Sequence, residues 1–119
     1  LRSESERAGT QLSNELGLVL AQDRGVSELF SKGLSQPKSL DHTDRVRFTW
    51  LMSVLMGSMH IAFVDHELGL TTDEDISGLR SSLGGLVDTP GGRWFWKRNK
   101  DSYRPSLVAA IEREFEMDI

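Results

Sequence analysis

Apolar residues recur along most of the chain at intervals of three and four, the period of a helix packed on one side. Leu12, Leu16, Val19 and Leu20 fall on one stripe of a first helix, from Ala8 to about Gln22. Asp23 suits the cap of a second, whose Val26, Leu29, Phe30 and Leu34 share a face before "SQPKS" breaks it. Ser39 or Asp41 can start a third, and no proline interrupts it before Leu68. At ~1.5 Å per residue its roughly 28 residues would span about 40 Å. Gly69 supplies a left-handed stop, and Leu70 can fold back onto the last turn.

Thr72 and Asp75 have the spacing of a capping box, leading into Ile76, Leu79, Leu83, Leu86 and Val87 at helical intervals. Thr89 followed by Pro90 begins a fifth helix, since proline at the first helical position forfeits no hydrogen bond. After "SYRPS", Leu107, Ala110, Ile111 and Phe115 mark a sixth. No run alternates with period two. The expected fold class is all-α: about six helices packed around a long central apolar helix at residues 41–68. Residues 1–119 form one helical-bundle domain, in which residues 1–22 can continue an upstream helix.

The central helix raises a membrane question, because residues 48–64 carry no formally charged side chain. Seventeen residues is near the lower limit for spanning hydrocarbon, and Thr49, Ser53, Ser58 and His60 interrupt the run. A helix apolar all round also suits the middle of a helical assembly, covered on every side. That reading is preferred, with Gly57 and Ser58 expected where another backbone comes close.

Composition narrows the function. A net charge of −4 gives no general attraction to nucleic acid or anionic lipid, and zero cysteines exclude disulfides, thiol nucleophiles and zinc-thiolate sites. Leu1 in place of Met points to sequence removed upstream, and no signal peptide is visible. The expected location is the cytoplasm, with a membrane tether only through a segment preceding Leu1.

Residues 88–101, "DTPGGRWFWKRNKD", concentrate aromatic and basic side chains. Three successive aromatics fan over about 200° of a helix, so Trp94, Phe95 and Trp96 cannot all face one core. The simpler reading buries Phe95 and Trp96 and leaves Arg93, Lys97, Arg98 and Lys100 in solvent, their stems over the rings. The alternative is an anion or small-molecule site at the Pro90–Gly92 helix start, with Gly91, Gly92, Arg93, Trp94, Lys97 and Arg98 as its residues. There, side-chain-free first-turn N–H groups would meet an anion. Neither a P-loop nor a dinucleotide fingerprint accompanies it.

"TPGGRWFWKRNKDSYRP", with the preceding long helix and "DHELGL", resembles an uncharacterised family of bacterial helical proteins. Their C-terminal halves carry a Pro-Gly-Gly-Arg segment, paired aromatics and a Ser-Pro helix start. The resemblance covers residues 23 to 117. It implies an all-helical fold, often with an N-terminal membrane helix, and no known activity.

Catalytic constellations are scarce. His60, inside the apolar run, reads as a neutral histidine hydrogen-bonded to a neighbour. "HELGL" begins like a zinc motif, but Leu70 stands where the second histidine belongs, so no metal site and no cofactor are expected. The carboxylates of Asp65, Glu67, Asp73, Glu74 and Asp75 read as solvated helix ends flanking a turn. The sequence therefore points to a non-catalytic interaction or assembly module, with a protein partner or self-association through opposite charges at 65–75 and 93–104. It is not expected to be an enzyme or to bind nucleic acid.

Overall fold

Capping side chains set the helix boundaries in the computed structural model, which describes residues 4–115. Side chains of residues 4–10, Leu12, Ser13, Ile76, Leu79, Arg80, Ser82 and Leu83 lie outside the described set, and the core roles expected of Leu12, Ile76, Leu79 and Leu83 with them. The helices are α1 (Glu4–Gln22), α2 (Arg24–Ser35), α3 (His42–Glu67), α4 (Asp73–Val87), α5 (Pro90–Asn99) and α6 (Pro105–Glu114), with 3₁₀ turns at Pro37–Ser39 and Lys100–Ser102. No strand occurs among the described residues, and the all-α expectation holds.

Asp23 accepts the Val26 N–H at 3.1 Å and Asp41 that of Asp44 at 2.8 Å. Thr72 caps α4 through Asp75 N–H at 3.1 Å, and Thr89 caps α5 through Gly92 N–H at 2.9 Å. Each bond satisfies a donor that the first helical turn leaves free. Ser39, the other candidate start of α3, instead donates its hydroxyl to Gln36 O at 2.7 Å. At the far end of α3, Gly69 takes φ 76° and the Leu70 N–H reaches back to Asp65 O at 2.9 Å. The Leu70 side chain does not follow its backbone and stays 47% exposed.

One core is shared by all six helices. Phe48, Met52, Leu55, Met56 and Met59 of α3 meet Leu16, Leu29, Val87, Phe95, Trp96, Leu107 and Ile111. Three of the chain's four methionines lie here, where an unbranched side chain fills irregular gaps between short helices. Val19, assigned to the core stripe of α1, is instead 45% exposed. Leu16 and half-buried Leu20, one turn apart, face inward, and Val19 points away from their shared direction.

The helices meet most closely through glycines. A Cβ on Gly91 would fall on Gly33 O, with Leu34 Cα at 2.7 Å; one on Gly92 would fall on Leu86 O, with Val87 Cα at 2.7 Å. Gly33 in turn lies under the Phe48 ring. Expected close approaches at Gly57 and Ser58 are not both found: Ser58 is buried, but no described residue lies within 4 Å of a Cβ built on Gly57.

That finding belongs to a larger correction. By length and composition α3 could cross a membrane, and within this fold 44% of its most apolar window is buried. Neighbours do not cover it on every side. The molecule measures 42 × 34 × 20 Å. Phe48, Met52, Met56 and Met59 are buried while Val46, Trp50 and Leu68 are exposed, so α3 packs on one side and opens on the other.

Candidate functional site

Gly91 brings the start of α5 onto the end of α2, while Gly92 packs on the last turn of α4, and the α2–α5 contact borders a groove. It is lined by Ser35 to Ser39 on one side and Pro90, Arg93, Trp94, Lys97 and Arg98 on the other, and is an open depression of about 730 Å3. Ligand sites commonly hold about 300–1,000 Å3. Among the described residues four cations line it and no carboxylate does, in a chain of net charge −4.

Among the described residues Trp94 is the groove's one aromatic surface. Its inner side packs on Phe48, with ring centroids 6.2 Å apart, and Arg98 Cζ stands 4.6 Å over the ring. A guanidinium at that distance is held by the negative face of the π system. Phe95 and Trp96 are buried at 0% and 2% exposure, while Trp94 is half-buried at the rim, as the fan of three aromatics requires.

The cations divide into held and free. Arg93 Nη2 donates to Asp88 Oδ1 at 2.5 Å and to Phe115 O at 3.2 Å. Lys38 and Lys97 are exposed and form no ion pair among the described residues. Lys100, expected in solvent, is instead drawn in, its Nζ 3.7 Å from the buried Glu112 Oε2.

Of the six residues in the anion-site expectation, Arg93, Trp94, Lys97 and Arg98 do line one surface. Gly91 and Gly92 do not: both are buried against backbone, and the Gly92 N–H is already taken by Thr89 Oγ1. Their lack of a side chain serves helix contact. Lys38 and the 3₁₀ turn were missed. "SQPKS" reads locally as a helix break, and only the packing of α5 on the end of α2 sets it beside α5.

His60 occupies a different place, at the junction of α3 with the segment before α6. Its Nε2 accepts the Arg104 N–H at 3.2 Å, and Tyr103 meets the imidazole edge-on at 5.4 Å. Tyr103 stacks on Trp96 at 5.7 Å. Accepting at Nε2 places the ring proton on Nδ1 and requires the neutral form. Burial first, then the Arg104 guanidinium, lowers the His60 pKa, and burial raises that of Tyr103.

Glu67 accepts from Arg104 Nε and Ser106 Oγ, each at 3.2 Å, and so ties the end of α3 to the start of α6. Asp65, expected as a solvated helix-end carboxylate, is buried at 3% exposure. Asp73 meets His66 Nε2 at 2.5 Å, while Glu74 and Asp75 are exposed. No group of three or more His, Asp or Glu side chains among the described residues could hold a metal ion.

Comparison with protein-family models, curated proteins and solved structures returns no match.

Proposed function

We propose that this chain is a non-catalytic interaction module whose α2–α5 groove docks an acidic segment of a partner protein. The observation that carries the reading is the lining: Lys38, Arg93, Lys97 and Arg98 around Trp94, with Lys38 and Lys97 forming no ion pair among the described residues. Two unneutralised ammonium groups favour a ligand with at least two separated negative charges. The Trp94 face offers apolar contact to the backbone or methylenes between them. A single small anion at the helix start is poorly served, because the Gly92 N–H is already engaged by Thr89. A non-catalytic role is consistent with His60, whose acceptor nitrogen is occupied by the Arg104 N–H.

The test is titration of an Asp/Glu-rich peptide into the protein, followed by amide chemical shifts, with inorganic phosphate as the small-anion comparison. Saturable shifts confined to residues 35–39 and 90–98 are expected. They should weaken with salt, because exposed charges are screened beyond ~10 Å at about 0.1 M. Lys38→Glu with Lys97→Glu should abolish them. Shifts that survive the double substitution, or none at all, would refute the docking role.

A further inference from the structure

The open face of α3 has an order of its own. Val46, Trp50, Ser53, Gly57, Ile61, Val64 and Leu68 follow at steps of four, three, four, four, three and four. This is an eleven-residue repeat of ~3.67 residues per turn, close enough to the helix period to keep one face over the whole length. None of the seven is buried: Val46, Trp50 and Leu68 are 44%, 70% and 66% exposed, and the rest are half-buried. None carries a charge.

The stripe is also close to symmetric about its centre. Val46 and Leu68 lie eleven residues either side of Gly57, Trp50 and Val64 seven, Ser53 and Ile61 four. Among the described residues, Gly57 itself has nothing within 4 Å of where a Cβ would stand.

We propose that this face pairs with the same face of a second copy, the two α3 helices running antiparallel and crossing at Gly57. A two-fold interface must be complementary to itself. The basic groove cannot oppose itself without like-charge repulsion, nor can the acidic start of α4; an uncharged stripe can. Antiparallel crossing sets Trp50 on the partner's Val64, Val46 on the partner's Leu68 and Ser53 on the partner's Ile61, large beside small. A parallel pair would press Trp50 against the partner's Trp50 at one end and leave the other end loose. Two glycines at the crossing let the backbones approach more closely than the usual ~8–10 Å between helix axes. A face of ~33 Å by ~10 Å offers roughly 330 Å2 per copy, below the ~800 Å2 of a standard interface, so the pairing is concentration-dependent.

Sedimentation over a range of concentrations tests it, and the chain's lack of cysteine makes crosslinking clean. The mass should rise from monomer toward dimer, and Trp50→Glu should hold it at monomer. Gly57→Ala should raise the dissociation constant about tenfold or more, as forcing a methyl into a closed contact does, without lowering the melting temperature of the monomer. On oxidation the double variant Ser53→Cys with Ile61→Cys should form a covalent dimer, because each position faces the other across the antiparallel pair. Val46→Cys should not, because in the antiparallel pair the two copies of that residue stand ~33 Å apart. Lys38→Glu with Lys97→Glu should leave the dimer intact, which separates this surface from the groove. A monomer at every concentration, a dimer indifferent to Trp50→Glu, crosslinking by Val46→Cys, or a monomer that floats with phospholipid vesicles through Trp50 would each overturn the proposal.

Discussion

Replacing Gly91 by alanine puts the helix-contact argument at risk in a single experiment. The added Cβ would land on Gly33 O, with Gly33 C and Leu34 Cα both at 2.7 Å. All three are backbone atoms of α2, so no rotamer change relieves the clash and the start of α5 must move. Overpacking of a tight site costs about 1–3 kcal/mol, and an obstacle made of helix backbone belongs at the upper end. Helix propensity offsets up to ~1 kcal/mol of that. The net loss is then about 2 kcal/mol, against a total stability on the order of 5–15 kcal/mol for a domain of this kind. Urea unfolding followed by circular dichroism should show a lower midpoint with an unchanged slope, and the melting temperature should drop by about 8 °C. Gly57→Ala is the control, measured at concentrations where the protein is monomeric. It has open space around the new methyl and should gain up to ~1 kcal/mol from propensity alone. Two Gly→Ala changes inside helices should thus have opposite signs. A Gly91→Ala protein as stable as the parent would show that α5 does not rest on α2 as described, and the groove would lose its basis.

Acidification should act through His60. Its folded pKa lies below the ordinary 6.5, so between the two values the unfolded chain holds more protons and stability rises with pH. The contribution is complete above about 6.5 and is lost as pH falls through the folded value. The melting temperature should therefore fall on acidification, and less steeply in His60→Gln, whose amide oxygen can still accept the Arg104 N–H; equal slopes would exclude this role. Thr89→Ala removes an acceptor for Gly92 N–H and a donor to Leu86 O and should cost ~1 kcal/mol, read as a shift in urea midpoint. Phe48→Ala empties a fully buried site between Phe30 and Trp94 and should cost about 3–5 kcal/mol by the same assay; a loss under ~1 kcal/mol would mean the core closes differently.

What the sequence determined by itself is local: each helix, its cap and its stop. Asp23, Asp41, Thr72, Thr89 and Gly69 act on groups within a few residues of themselves, so their roles are readable without knowing the fold. The division of Trp94, Phe95 and Trp96 between rim and core follows in the same way from 100° per residue. Only the tertiary structure decided the rest. Gly91 and Gly92 look alike whether they open an N-terminus to an anion or admit another helix, and the backbone of Gly33 and Leu86 settles which. Lys38 joins Lys97 because α5 lies on the end of α2, a contact that no spacing within either segment encodes. The open stripe of α3 was hidden for a related reason. An apolar helix is drawn inward wherever there is enough protein to cover it, and here the packing leaves the Val46, Trp50 and Leu68 side of α3 exposed.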